Sequence, residues 1–414
     1  MSSEPHAVPA HVPPHLVFDF DIYADPRVSD DVQASYAAAI ESAPDVFYTP
    51  RNGGHWMVKR IEAISEIVRD PEHFSAREMQ IPRVPNPPMF IPLSLDPPDN
   101  QLYRTVLMPR FSAKAIRELE PRIREWAVRI VDDVAGQGRC DFVVDVASRF
   151  PVSVFMELMG LPLARLREFR DLADEFFNAH DPTGIEATSA RILGLLGELI
   201  ALRRAEPADD LVTELVSVSP EGRKLSDDEV LAMCFVLFLG GMDTVTNVSG
   251  FAFRQLAHDP ALQARLAANP GDIPKFVDEA LRAFGVINTP RLVVKDCERF
   301  GAPFRAGDMV LCLLSVSGRD DQRNPDPAVF DIDRAQPAHL TFSTGPHLCI
   351  GHILARAEIR VLTEEWLKRA PAFGVEPGAR SGYRIGTVTA IQSLPLRWNA
   401  ADGAASQVAA QAAS

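Results

Sequence analysis

Hydrophobic and polar positions along this chain follow mainly the helical period, with a few short strand signals between helices. Val32 to Ala43 carries a short helical pattern, and Pro44 should stop it, because proline has no N–H and clashes with the preceding turn. Val46-Phe47-Tyr48 and His55-Trp56-Met57-Val58 flank Arg51-Asn52-Gly53-Gly54, a sequence that predicts a hairpin. Ile61 to Arg69 reads as a helix. From 80 to 98, seven prolines interrupt Ile81, Val84, Met89, Phe90, Ile91, Leu93 and Leu95, so no regular helix is expected there, only a loop with apolar anchors. Residues 99–135 look helical after Asp96-Pro97-Pro98, amphipathic segments follow at 143–160, 163–179 and 187–205, and 209–218 continues the theme.

The longest helix should begin at Ser226-Asp227-Asp228-Glu229, where Ser226 and Glu229 have the spacing of a capping box. Its interior, from Val230 to Leu239, is apolar on almost every side, which predicts burial all round. The run looks too short and too interrupted to span a membrane. Gly240-Gly241-Met242-Asp243-Thr244 then breaks the local rules: each glycine costs a helix about 1 kcal/mol against alanine, and the Asp-Thr pair adds a desolvation cost. Such failures are often found at functional sites. Another helix is expected over Ile273 to Phe284, with Pro274 tolerable in its first turn. Strands are expected at Arg291 to Val294, Met309 to Leu314 and Gly386 to Ser393, with an irregular meander over 319–334.

Composition narrows this picture. A length of 414 residues suggests two or three domains, but the 34 prolines are dispersed and no stretch looks like a linker. We expect an N-terminal arm (1–16), a single domain (17–399) and a fraying tail (400–414). A formal net charge of -14 argues against nucleic acid or an anionic membrane as partner. Five cysteines, at 140, 234, 297, 312 and 349, form no CxxC, so neither a disulfide framework nor structural zinc is expected, and a reducing cytoplasm fits. No basic region followed by a long apolar run opens the chain, so no signal peptide or membrane anchor is expected.

The stretch Phe342-Ser343-Thr344-Gly345-Pro346-His347-Leu348-Cys349-Ile350-Gly351 holds one cysteine among turn-forming residues, ahead of an apolar helical run. A thiolate is a strong, soft metal ligand, and glycines permit close approach of another group. Taken alone, the stretch fits a small buried cysteine as well. Its pattern Phe-x-x-Gly-x-x-x-Cys-x-Gly, however, resembles the haem-thiolate signature of the cytochrome P450 family, with every fixed position filled. That resemblance implies a mainly α fold with minor β, a helix-rich prism enclosing haem b, and Cys349 as the iron ligand. It also implies that Phe342 packs beside the ring, that Gly351 admits the following helix closely, and that His347, two positions before the cysteine, donates to a haem propionate.

Three further sets take roles from the same resemblance. Gly240 to Thr244 matches the small-Gly-x-acid-Thr motif of the distal helix. Small residues such as Gly240 leave room for dioxygen, Thr244 hydrogen-bonds the oxygen being reduced, and Asp243 relays protons to it. Glu279-Ala280-Leu281-Arg282, with Arg334 as third member, matches a buried network that braces the cysteine loop. On their own these residues would be a solvated pair of small effect. Arg104 and Arg291 match propionate-binding positions, with Asn100 a further donor. Arg104, Arg110, Lys114 and Arg117 form a positive cluster that is either a solvated face or a docking face for an acidic electron donor.

The likeness extends over about 17–399 and is closer than the superfamily. Asp19 to Tyr23, Asn52-Gly53-Gly54-His55-Trp56, Leu95-Asp96-Pro97-Pro98, Thr341 to Gly351 and Leu394-Pro395-Leu396 resemble the bacterial camphor-hydroxylase family. This implies a soluble, monomeric monooxygenase supplied with electrons by a [2Fe–2S] ferredoxin and its NADH-dependent reductase. One departure counts against camphor itself. The loop 80–95 has no tyrosine to hold a substrate ketone, and Pro87, Pro88, Met89 and Phe90 stand there instead. An apolar lining of Met89, Phe90, Val236, Leu239, Ile287 and Val388 suits a terpenoid or norisoprenoid, while fatty acids and aromatics stay open. Gln101 and Gln336 replace family basic residues, which points to a different ferredoxin. Two alternatives are a haem peroxygenase, for which Asp243 and Thr244 would be superfluous, and a non-catalytic haem sensor or apolar-ligand carrier.

Overall fold

A computed structural model describes residues 4–29, 31–83, 89–178 and 182–399. Helix accounts for 51% of the chain and strand for 11%, so helix packing builds the core. In chain order the helices are α1 (Val32–Ala39), α2 (Ile61–Arg69), α3 (Asp99–Leu107), α4 (Ala113–Ala135), α5 (Phe150–Met159), α6 (Leu166–Asn178) and α7 (Pro182–Ala205). They continue as α8 (Leu211–Ser217), α9 (Asp227–Met242), α10 (Thr244–His258), α11 (Pro260–Ala268), α12 (Ile273–Ala283) and α13 (His352–Arg369).

The strands are short: β1 (Val46–Thr49), β2 (His55–Val58), β3 (Phe74–Ser75), β4 (Arg139–Asp141), β5 (Thr289–Val293) and β6 (Cys297–Arg299). After them come β7 (Ala302–Phe304), β8 (Met309–Cys312), β9 (Phe373–Val375), β10 (Tyr383–Arg384), β11 (Ala390–Ile391) and β12 (Pro395–Trp398). The main sheet runs β1-β2-β8-β5-β3. Its β1–β2 hairpin pairs Val46 with Val58 and Thr49 with His55, as the Asn-Gly-Gly turn predicts. Asn52, Gly53 and Gly54 all take positive φ there.

Several expectations shift for local reasons. Helix α1 ends at Ala39, well before Pro44: Ile40 leaves helical geometry, and Lys59 Nζ donates to the carbonyls of Ile40, Glu41 and Ala43. The helical run over 99–135 divides into α3 and α4 around Pro109, and Ser112 caps the second helix by accepting from the Ala115 N–H. The segment 143–160 is not amphipathic. Its first part is a π turn over Val143–Ala147, and α5 is buried on nearly every side. The strand expected over Gly386 to Ser393 is replaced by the β10–β11 hairpin, which pairs Tyr383 with Ile391 and Arg384 with Ala390. Gly386, at φ 151°, packs so closely on Tyr23 that a Cβ would lie 2.7 Å from the ring.

Helices α9 and α10 continue one another across Asp243. The capping box is complete: Ser226 Oγ accepts from the Glu229 N–H, and Glu229 Oε2 accepts from the Ser226 N–H. Arg223 and Tyr103 also donate to Glu229, which ties the start of α9 to α3. Together Asp227–His258 is long and apolar enough to cross a membrane, contrary to the expectation from sequence. Of its most apolar window, 61% is buried inside the molecule, which is the pattern of a core helix.

The paired glycines of α9 serve different ends. A Cβ on Gly241 would sit 2.4 Å from the Phe155 ring of α5, whereas a Cβ on Gly240 would meet no protein atom within 4 Å. Gly241→Ala should therefore destabilise the protein by about 1–3 kcal/mol through overpacking. Gly240→Ala should be neutral or stabilising by up to about 1 kcal/mol. Denaturant unfolding of the two variants checks the difference.

Candidate active site

The cysteine loop is held by its own backbone. The Cys349 N–H donates to the Phe342 carbonyl at 2.8 Å, Leu348 N–H to Gly345 at 3.1 Å, and Ser343 N–H to Leu340 at 2.7 Å. Thr341 Oγ1 pins the loop's entry to the Leu281 carbonyl of α12 at 2.6 Å. Gly345 takes φ 67°, and a Cβ there would lie 2.7 Å from Arg69 Cγ, so backbone geometry and space both call for glycine. Gly351 precedes α13 with ordinary backbone geometry, and a Cβ there would meet nothing within 4 Å. The expected close approach of the following helix does not occur.

Cys349 is solvent-accessible, yet it lies deep among protein atoms, and burial pushes its thiol up. Its side chain thus reaches accessible surface although protein atoms crowd it on most sides. The Gly351 N–H, Arg104 and Arg356 act in the opposite direction and favour the thiolate. Arg104 of α3 donates to the Leu348 carbonyl at 2.7 Å, and Asn100 Nδ2 to the Pro346 carbonyl at 3.3 Å. Asn100 Oδ1 is buried without a partner.

Arg291 of β5 is 2% exposed and donates to Thr289 Oγ1 and the Pro290 carbonyl. Among the described residues neither Arg104 nor Arg291 is ion-paired with a carboxylate. Burial together with Arg291 and Arg104 lowers His347 to about 4, so its imidazole is neutral at pH 7. Asp96 acts on Arg291 and His347 from nearby, but among the described residues it makes no ion pair with them, and two cations and a histidine so gathered are a donor set for an anionic group. Haem carboxylates fit it through charge-assisted hydrogen bonds.

Val236 and Gly240 of α9 lie four residues apart on one helix face, and Thr244, the first residue of α10, follows four residues on. Gly240 is exposed, while Val236 and Thr244 are half-buried, so this face too borders open space. Thr244 Oγ1 donates to the Gly240 carbonyl at 2.9 Å, and Asp243 departs from helical geometry at φ -122°, ψ -36°. The hydroxyl takes up a carbonyl where the helix is interrupted. Burial pushes Asp243's carboxyl up, and Arg384 and Asn247 pull it partly back.

The apolar candidates separate. Ile287 and Val388 are joined as an antiparallel bridge, with Asn288 N–H donating to Thr387 and Thr389 N–H to Val286. Leu239 and Phe90 are buried, and Phe90 stacks on Phe235 with centroids 5.9 Å apart. Met89 is 60% exposed beside the buried Phe90. Pro87 and Pro88 lie outside the described residues. Phe235, Phe176 and Phe177 form an aromatic group that sequence reasoning did not single out, because their contacts join α6 to α9.

The bracing network is bidentate and buried. Arg282 Nε and Nη2 each donate to Glu279 at 2.7 Å, with both side chains 1% exposed. Arg282 also donates to the Gly318, Pro327 and Val329 carbonyls, and Arg334 reaches Glu279 at 3.4 Å and the Pro325 carbonyl at 2.6 Å. The irregular segment before the cysteine loop is thus tied to α12.

The positive cluster foreseen on α3 and α4 is largely neutralised. Arg110 pairs with Asp209 and Glu214, Lys114 lies 3.9 Å from Glu118, and Arg104 turns to the cysteine loop. A depression of about 460 Å³ beside that loop is lined by Arg69, Arg323, Phe342, Leu348, His352 and Arg356, with Arg323 paired to Glu62 at 3.3 Å and Arg356 to Asp278 at 3.2 Å. Arg69 donates to Thr344 Oγ1, and Arg356 lies 4.7 Å over the Phe342 ring.

Comparison with known proteins bears on the family and the fold. The sequence matches the cytochrome P450 family over residues 167–269 and 273–376. It is 32% identical over 401 residues to a Sinorhizobium fredii protein described as probable cytochrome P450 127A1, covering 94% of this chain and 97% of that one. The crystal structure of CYP101J2 superposes with a TM-score of 0.86 at 34% identity, covering 95% of this chain and 99% of that one. The crystal structure of cytochrome P450 CYP101C1 does so at 0.87 and 31%, covering 95% and 100%. The fold and the comparisons define an oxidoreductase of the monooxygenase class with haem b as cofactor. The chain belongs to the cytochrome P450 family and is structurally similar to its CYP101 members.

Glu279→Ala would leave Arg282 as an uncompensated buried charge, and should cost about 3–5 kcal/mol in denaturant unfolding. His55, His339 and His347 are each lowered to about 4 by burial. The unfolded chain therefore binds more protons than the native one between about pH 6.5 and 4. Stability should be fully present above that window and fall as pH drops through it, measured by unfolding at successive pH values.

Proposed function

We propose that Cys349 would ligate the iron of haem b, that Arg104, Arg291 and His347 would bind its carboxylates with Asn100 as a further donor, and that Asp243 and Thr244 would manage protons from the α9–α10 junction. The observation that carries this reading is the accessible thiol of Cys349 near two arginines that form no ion pair with a carboxylate among the described residues. Haem b, when bound, supplies reductive activation of dioxygen and insertion of one oxygen atom into a C–H bond.

The chain's own groups do the rest. The Gly351 N–H and the nearby Arg104 and Arg356 favour the thiolate form of Cys349 and temper its charge. Phe342 stands at the loop's entry beneath Arg356. Gly240 keeps the α9 face free of side-chain bulk. Thr244 Oγ1, already bonded to the Gly240 carbonyl, has oxygen lone pairs with which to hold a water or receive a proton. Asp243, whose carboxyl is pushed up by burial, can carry a proton to that hydroxyl and be recharged from solvent. Glu279, Arg282 and Arg334 brace the approach to the loop and take no part in the chemistry.

For substrate, the lining offered by Phe90, Val236, Leu239, Ile287 and Val388 is apolar, with no tyrosine in the loop 80–95 to orient a ketone. This favours a small apolar molecule held by shape, a terpenoid or norisoprenoid. For electrons, the rim beside the thiolate loop carries Arg69 together with Arg323 and Arg356, whose exposed pairs with Glu62 and Asp278 an acidic [2Fe–2S] ferredoxin, served by an NADH-dependent reductase, can exchange for its own carboxylates. The protein then works as a cytoplasmic monomer that meets its donor transiently.

The difference spectrum of the reduced protein with carbon monoxide tests the ligand. A strongly red-shifted Soret band of the thiolate type is expected, and Cys349→Ser should abolish it. A histidine-type band in folded parent protein would overturn the assignment. Thr244→Ala should leave that spectrum intact while product formed per dioxygen falls by about tenfold or more and hydrogen peroxide accumulates, as product and peroxide assays will read.

A further inference from the structure

A second depression, of about 400 Å³, lies between α4, α5 and the start of α6, and shares no lining residue with the one beside the cysteine loop. Helix α5 stands between it and α9. Ser153 lines the depression, while Phe155, two residues on and so on the other side of α5, packs against Gly241. Ile130, Leu163 and Leu166 give the depression an apolar wall, and Leu163 is exposed despite its size. Trp126 of α4 lines it as well, with its indole fixed at the edge, because Nε1 donates to Glu157 Oε2 at 2.6 Å.

Arg129, one turn along α4, lies 5.4 Å over that indole. It is exposed, and among the described residues its guanidinium makes no hydrogen bond and no ion pair. The carboxylates within a turn of it are committed elsewhere. Glu125 pairs with Arg122, Asp132 with Arg369, and Asp133 with Arg149 at 2.7 Å. Glu157 accepts from Arg122 as well as from Trp126. The Asp133–Arg149 pair is 33% exposed at the arginine and 48% at the aspartate, so solvent screens it and Arg149 keeps charge to share. Arg170, one turn after Leu166, adds a further cation: burial pulls its guanidinium down, Asp174, Asp171 and Asp145 counter this, and the charge of Arg149 pulls it down further. An arginine stacked on an indole has its fork already oriented, so a carboxylate gains paired hydrogen bonds there with little ordering. A concave apolar wall with a few polar groups at its edge is the make-up of a small-molecule site.

We propose that this depression binds a small carboxylate with a compact apolar body: Arg129 takes the carboxylate, Arg149 lends a second positive charge, and Trp126, Leu163 and Leu166 receive the apolar part. A neutral amide of the same shape keeps the apolar contact and loses the charge-assisted one, so the site selects the anion. The site lies apart from Cys349 and from the apolar substrate lining, and rests on none of the assignments made for them.

The test uses the full-length, haem-loaded protein with adamantanecarboxylate as probe. Calorimetry reads the affinity, and fluorine NMR of protein made with fluorotryptophan reads the place, the Trp126 signal being identified by its loss in Trp126→Phe. The probe should bind with a dissociation constant below about 1 mM and move the Trp126 signal, while those of Trp56, Trp366 and Trp398 stay. Arg129→Gln should weaken this binding by about tenfold or more, and Arg129→Lys, which keeps the charge without the fork, should weaken it less. Leu163→Glu, which sets a like charge in the wall, should weaken it too, and adamantanecarboxamide should bind the parent about tenfold or more weakly. A Trp126 signal that stays in place up to about 1 mM probe overturns the proposal, and a change in the Soret band alone does the same, since it reports binding at the haem. Equal affinity for the amide, or an undiminished affinity in Arg129→Gln, also refutes it. Should Arg129→Gln not fold, Leu163→Glu decides: weakened binding supports the site, and unchanged binding sinks it.

Discussion

Cys349 has to give up its proton in a place where burial favours keeping it. A desolvated thiol binds metal only when something offsets the cost of its charge. Here the offset is local: the N–H of Gly351 at the start of α13, with Arg104 and Arg356 nearby. The loop reaches that geometry because Gly345 takes positive φ against Arg69, and because the Cys349 N–H is already bonded to Phe342. Most other features of the molecule follow from the need to keep this short irregular segment in one shape.

A segment without regular structure has to satisfy its backbone by other means. Arg282 does much of this for the neighbouring chain, donating to three carbonyls while Glu279 neutralises its charge. Glu279 also accepts from the Asp331 N–H, and Arg334 closes the set. A buried ion pair is a weak source of net stability. Its value here is geometric, because it joins the irregular stretch to α12, from which Thr341 is held as well. Gly318 shows how tight the join is: a Cβ there would lie 1.8 Å from the Arg282 carbonyl oxygen.

The opposite wall follows a different rule. A continuous helix would bond every carbonyl internally and fill its face with side chains. The α9–α10 junction does neither, since Gly240 leaves space, Thr244 takes over a carbonyl, and Asp243 steps out of helical geometry toward Arg384. Irregularity at this point costs helix stability. The capping box at Ser226, joined by Tyr103 and Arg223, and the packing of Gly241 on Phe155 hold the helix ahead of it.

Local chemistry was legible in the sequence. The hairpin turn, α2, the capping box, the glycine pair and the cysteine loop depend on residues close together in the chain, where spacing and backbone preference act directly. The Glu279–Arg282 pair was visible for the same reason, as neighbours one turn apart. What the tertiary structure alone decided are the meetings of distant segments. It joined Arg384 to Asp243 across 141 residues and Phe235 to Phe176, and it neutralised Arg110 with Asp209 and Glu214. A charge or an apolar side chain carries no mark of its eventual partner. Periodicity tells which face of a helix is buried, but only packing determines what lies against it.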